Sequence, residues 1–92
     1  MTGPDSVLAR RDDLVVEHFP ADILVWDQAA QTLHHLDAMA AIVWDELDGR
    51  PLRAIAADLA SDFAAENAQL LADLITLCDD FVGKGLAVRR SA

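Results

Sequence analysis

Ninety-two residues suffice for one domain with a thin core, because a chain this short buries only about 60% of the surface it exposes when unfolded. Sixteen acidic residues against seven Lys and Arg leave a formal charge of −9. That charge repels nucleic acid phosphate and anionic lipid, whose electrostatic binding needs clustered cations, and the Ala- and Leu-rich composition without Tyr suggests a mainly helical domain.

In chain order, residues 1–10 are expected to be a flexible tail, punctuated by Gly3-Pro4-Asp5-Ser6, and residues 11–90 the folded domain. Leu14 to Phe19 has the β-branched content of a strand, and Pro20 ends it because proline cannot donate to a ladder. Asp22 to Asp27 is a second strand. Gln28-Ala29-Ala30 is a turn of open type, lacking the Asn-Gly signature. Gln31 to Leu36 is a third strand, expected at a sheet edge. Asp37 stands at the joint, where its carboxylate can cap the free N–H groups of a helix from Ala38 to Leu47. Gly49 is the expected left-handed stop of that helix. Pro51 opens the second helix, with Leu52, Ile55, Ala56 and Leu59 as its buried stripe and Phe63 closing it.

The third helix, from about Glu66 to Val82, is the longest. At roughly 100° per residue, Leu70, Leu74, Leu77, Cys78 and Phe81 share one stripe, and Leu71, Ile75 and Val82 widen it to about 160°. An arc that broad covers more than one neighbour. Gly83-Lys84-Gly85 ends the helix, and Leu86-Ala87-Val88 is read as a short extended tail.

Little here serves catalysis or metal binding. Cys78 is the only cysteine, which excludes an intrachain disulfide and fits a reducing, cytoplasmic setting. No stretch has the apolar core of a signal peptide or the roughly 20 apolar residues of a membrane span. His34 and His35 are adjacent on a strand, so they point to opposite faces and do not make a metal pair. There is no glycine-rich phosphate loop, and no nucleophile sits beside a base. No cofactor is expected.

The ordered elements resemble the PqqD family of peptide-recognition domains, also called RiPP precursor recognition elements. The resemblance is carried by Leu36-Asp37 ahead of Ala40-Ala41-Ile42-Val43-Trp44, by Leu47-Asp48-Gly49, by Ile55-Ala56, and by Leu74, Leu77, Cys78, Phe81 and Gly85-Leu86. Asp37 stands where members usually have Asn, and Pro51 where they often have Thr or Ser. The resemblance implies an α+β, winged-helix-like fold, a three-stranded antiparallel sheet followed by a three-helix bundle. It also implies a non-catalytic role: binding the leader of a ribosomally made precursor peptide and presenting it to a modifying enzyme, often a radical SAM enzyme with an iron–sulfur cluster. The leader would pair along the third strand, Gln31, Thr32, Leu33, His34, His35 and Leu36, and lie against Leu71, Ile75, Cys78 and Val82 of the third helix.

Two other uses of the same elements stay open at this stage. The order of elements also suits a winged-helix DNA-binding regulator, although Asp73, Asp79 and Asp80 would then face phosphates. The wide stripe of the third helix could alternatively bury a homodimer seam.

Overall fold

The structure is a computed structural model that describes residues 2–63 and 66–90. Its elements are β1 (Val7–Arg10), β2 (Val15–His18), β3 (Ile23–Asp27), β4 (Thr32–Leu36), α1 (Ala38–Asp45), β5 (Asp48–Pro51), α2 (Leu52–Phe63), α3 (Asn67–Gly83) and β6 (Ala87–Arg90). The expected strands and helices are all present, and the fold is α+β with antiparallel strands and three helices. Two three-stranded sheets form rather than one. The first has the order β5-β1-β6 and the second β2-β3-β4.

The first sheet revises the reading of both chain ends. Val7–Arg10, expected within a flexible tail, is its central strand, with Leu8 buried. The tail after the third helix is β6, paired with β1 from Val7↔Arg90 to Arg10↔Ala87. Neither end has a long apolar run, so only the long-range pairing makes them strands. The parts of the expected tails at Met1 and at Ser91–Ala92 lie outside the described residues. The N-terminal segment also replaces a missing cap. The amides of Leu52 and Arg53, at the start of α2, donate to Ser6 O (3.0 Å) and Pro4 O (2.8 Å), which satisfies donors a helix start leaves open.

The helix boundaries move for related reasons. Asp37 caps α1 as expected, its Oδ1 accepting from Ala40 N at 2.9 Å. The helix ends at Asp45 with Glu46 as C-cap, rather than at Leu47 with Gly49 as its stop. Leu47 turns into the core, and the next residues pair with β1. Gly49, at φ +92°, serves inside β5 instead, in a conformation that side-chain-bearing residues disfavour. Phe63 does not close the buried stripe of α2; it is exposed.

The second sheet is the predicted hairpin pair. Along β3 burial alternates, with Ile23, Val25 and Asp27 inward and Leu24 and Trp26 half-buried on the outer face, the period of two that a half-covered strand requires. The β3–β4 loop is Gln28–Gln31. Asp27 Oδ1 accepts from Ala30 N, and Gln31 takes a left-handed φ of 55°. Beneath the sheet lies a core of Ile23, Val25, Val43, Leu74 and Trp44, with Trp44 meeting Phe81 edge-on at 5.8 Å.

One polar clamp ties the two sheets together. Asp27 is buried, and its Oδ2 accepts from Arg11 Nη1 at 2.9 Å. The same nitrogen donates to Gly85 O at 2.8 Å, while Nε and Nη2 grip Asp13. Arg11 thus joins the start of the hairpin sheet to the loop that follows α3. The Arg11 guanidinium holds the Asp13 carboxyl below its ordinary range, and Arg50 does the same for Asp48.

Candidate functional site

The backbone of the second sheet sets what its edges can offer. Phe19 N donates to Asp22 O. Hydrogen-bonded and non-bonded pairs alternate along an antiparallel ladder, so with this register Glu17/Leu24 and Val15/Trp26 exchange bonds. The N–H and C=O groups of Ile23, Val25 and Asp27 then face β4, where they meet Leu36, His34 and Thr32. Leu33 and His35 are left with their backbone groups pointing away from the sheet. Among the described residues no strand pairs with that side of β4.

Side chains sort by the same alternation. Leu33 and His35 project from the outer face, and Leu33 is 58% exposed. His35 Nε2 lies 2.6 Å from Asp22 Oδ2, a contact back across the hairpin. His34 is half-buried and Leu36 buried on the inner face. Thr32 and Gln31 are exposed at the loop end. The six predicted strand residues therefore divide into outward backbone (Leu33, His35), inward packing (His34, Leu36), the first strand residue Thr32 paired with Asp27, and Gln31 in the loop.

A small depression opens between α1 and α3. It has a volume of about 70 Å³ and is lined by Met39, Val43, Leu70, Leu74 and Leu77, with Asp73 also on its wall. Met39 stands in the first turn of α1, three residues past Leu36, and is 55% exposed. The site is therefore apolar at its floor, with one carboxylate.

The structure does not bring the predicted α3 residues to this place. Measured around the helix at about 100° per residue, Leu71, Ile75 and Val82 lie on one side of Leu74, and Leu70, Asp73 and Leu77 on the other. The first flank also carries Asp79, which accepts from Thr2 Oγ1 at 2.8 Å and faces Arg89 of β6 at 3.6 Å. At Asp79 it is turned toward the first sheet and the N-terminal segment, and Leu71, Ile75 and Val82 do not line the depression. Cys78 has no exposed surface, and burial pushes its thiol up to about 12, so it is a packing residue. Met39, Val43, Leu70, Asp73, Leu74 and Leu77 line the depression and are not among the residues expected to bind. Leu70, Leu74 and Leu77 are on the predicted stripe; the stripe alone does not say which of its flanks faces α1.

Among the described residues no group of His, Cys, Asp and Glu could hold a metal ion, and no helix is long and apolar enough to cross a membrane. The acids expected on the solvated face of α3, Asp73, Asp79 and Asp80, are exposed.

The family model for Coenzyme PQQ synthesis protein D (PqqD) matches residues 15–87, from the start of β2 to the start of β6. A solved structure of TbiB1 in complex with the TbiA(beta) leader peptide is similar in fold, with a TM-score of 0.79 at 18% identity, covering 90% of this chain and 98% of that one. No curated protein matches the sequence. The family match spans well over half of the chain and takes in the whole hairpin sheet and all three helices, so the chain belongs to the PqqD family.

Proposed function

We propose that this domain binds the leader segment of a ribosomally synthesised precursor peptide, as an added antiparallel strand on β4, and presents it to a modifying enzyme. The observation that carries the reading is the outward-facing backbone of Leu33 and His35 on a strand that runs straight into α1, whose Met39 lines an apolar depression with Leu70 and Leu77. An unpaired strand edge is a template for another chain. Strand addition draws affinity from main-chain bonds and selectivity from pockets that take alternate side chains.

On this reading the leader pairs with Leu33 and His35. Its inward side chains point toward the α1–α3 depression, and the outward ones stand beside Leu33 on the solvent face. The contact set of α3 is then Leu70, Asp73 and Leu77 rather than Leu71, Ile75, Cys78 and Val82. The role is recognition, with the reaction left to the partner, and membership of the PqqD family together with likeness to a fold solved with a leader peptide supports it. Ordering a flexible leader costs conformational entropy, so affinity per unit area should be modest.

The test is a titration of labelled protein with a synthetic leader from the precursor encoded beside this chain's gene. The expected amide shifts centre on Leu33 and His35, with smaller ones at Met39, Leu70 and Leu77. Shifts confined to α2 or to the β5-β1-β6 sheet would refute the placement.

A further inference from the structure

Among the described residues no strand pairs with the opposite, β2 edge of the same sheet, and that edge overlooks more space than β4 does. By the alternation worked out above, Val16 and His18 of β2 turn their backbone N–H and C=O groups outward. Two clefts flank them. One, of about 430 Å³, lies between Val16, Trp44, Leu47 and the Arg10–Arg11 corner. The other, of about 370 Å³, lies between Phe19, Ile23, Ala38 and Ile42. Both clefts include His18 and Asp45, and these two side chains meet at 3.2 Å, dividing one trough into two halves.

We propose that β2 and α1 form a second strand-binding groove, separate from the β4 edge, for an extended segment of another protein with a defined side-chain pattern. A strand added antiparallel to β2 pairs with Val16 and His18, and the residues opposite those two point inward. They are two apart, so one falls at each cleft. The exposed surface of both clefts is mainly apolar, although Arg10, Arg11, Asp12, His18 and Asp45 share the wall of the larger one, and both are roomy enough for large side chains, which specifies apolar residues at i and i+2.

Antiparallel pairing runs the visiting strand toward the Arg10 corner at its C-terminal end, and charge specifies what sits there. Arg10 uses only Nη1, which donates to Trp44 O and Asp45 O at 3.3 Å each. Its Nε and Nη2 have no other partner among the described residues, and a guanidinium fork of that kind suits a carboxylate. An acidic residue at i+4 completes the pattern.

A second copy of this chain fits poorly. Two β2 strands paired through Val16 and His18 place Glu17 opposite Glu17, and each chain carries a charge of −9. Like charges directly opposite in a ladder are destabilising. The proposal does not depend on what β4 binds, and it is tested so that the two can fail separately.

The probe is a synthetic peptide with the run Phe-Thr-Leu-Thr-Asp, titrated into the labelled full-length chain, with a scrambled peptide as control. The block is Val16→Pro: the Val16 N–H takes no part in the β2–β3 ladder, so proline removes an outward donor and leaves the sheet intact. Leu33→Pro does the same to β4. The expected result is amide shifts at Val16 and His18, weakened at least about tenfold by Val16→Pro and by Asp→Ala in the peptide, and unchanged by Leu33→Pro. The proposal is overturned if the scrambled peptide gives the same shifts, or if the probe shifts Leu33 and His35 and is lost with Leu33→Pro. It is equally overturned if millimolar probe shifts nothing, or if the free chain is a dimer that Val16→Pro splits. Circular dichroism of both proline variants shows that the sheet has survived.

Discussion

Leu33→Pro isolates the backbone contribution to leader binding, because residue 33 spends none of its hydrogen bonding on the fold. Leu33 and His35 together offer about four outward main-chain bonds, each worth roughly 1 kcal/mol net. Proline at 33 deletes one donor, and its ring occupies the space where the visiting carbonyl would sit. The neighbouring bond is strained as well. A loss of about 1.5–3 kcal/mol is expected, which raises Kd roughly ten- to a hundredfold. The fold itself loses only a side chain that is 58% exposed, so its stability should change by less than about 1 kcal/mol. Leu33→Thr keeps the N–H and should bind within a few-fold of the parent. His34→Pro is the opposite control, since the His34 N–H faces Val25 and its removal breaks the ladder. Calorimetric titration with the leader gives Kd, and thermal unfolding gives stability. Leu33→Pro binding as tightly as the parent would refute strand addition at β4.

Further expectations follow from the site and the core. Leu77→Asp places a charge on the wall of the α1–α3 depression beside Asp73 and should weaken the leader more than Ile75→Asp on the other flank of α3, read in the same titration. Trp44→Ala opens a cavity at the edge-on contact with Phe81 and should cost about 3–5 kcal/mol, measured by urea unfolding. Cys78, with its thiol pushed up to about 12, should resist alkylation at pH 8 in the folded chain and react at the rate of unfolding in denaturant. Asp13 and Asp48 are both lowered below 3.8 by their arginine partners. Their contribution is present above that value and fades as pH falls through the lower folded values. Asp48→Asn should therefore flatten the acid limb of a stability–pH curve and leave the neutral region less stable than the parent.

What the sequence disclosed and what it hid follow one division. The hairpin, the Asp37 cap and the three helices rest on local signals: alternation along Ile23–Asp27, a carboxylate one residue before a helix, and apolar residues at helical spacing. Each was legible in the chain. The first sheet was not, because Val7–Arg10, Asp48–Pro51 and Ala87–Arg90 are short and become strands only by pairing across the whole length of the sequence. The end of α1 was misplaced for the same reason: Gly49 reads as a stop signal, yet pairing of β5 with β1 claims it first.

The site divides in the same way. That β4 would be an edge was inferable from its running straight into α1. The partner flank of α3 was not, because a stripe of about 160° names the buried arc and leaves its two borders equivalent. The contact of Asp79 with Thr2, 77 residues away, orients the helix, and the depression lies on its Leu70–Leu77 side; a contact that distant leaves no local signal. Arg11 shows the limit from the polar side. Its neighbours Asp12 and Asp13 mark it as a surface residue, whereas its role is to hold the buried Asp27 against the loop at Gly85.

Hydrogen exchange at two single amides puts the matter most directly. In the free protein the N–H groups of Leu33 and His35 face outward and should exchange quickly, while that of His34, bonded to β3, exchanges slowly. Saturating leader should slow Leu33 and His35 together and leave His34 as it was. Leader that binds while both outward amides continue to exchange at their free rate would mean that no strand has joined β4.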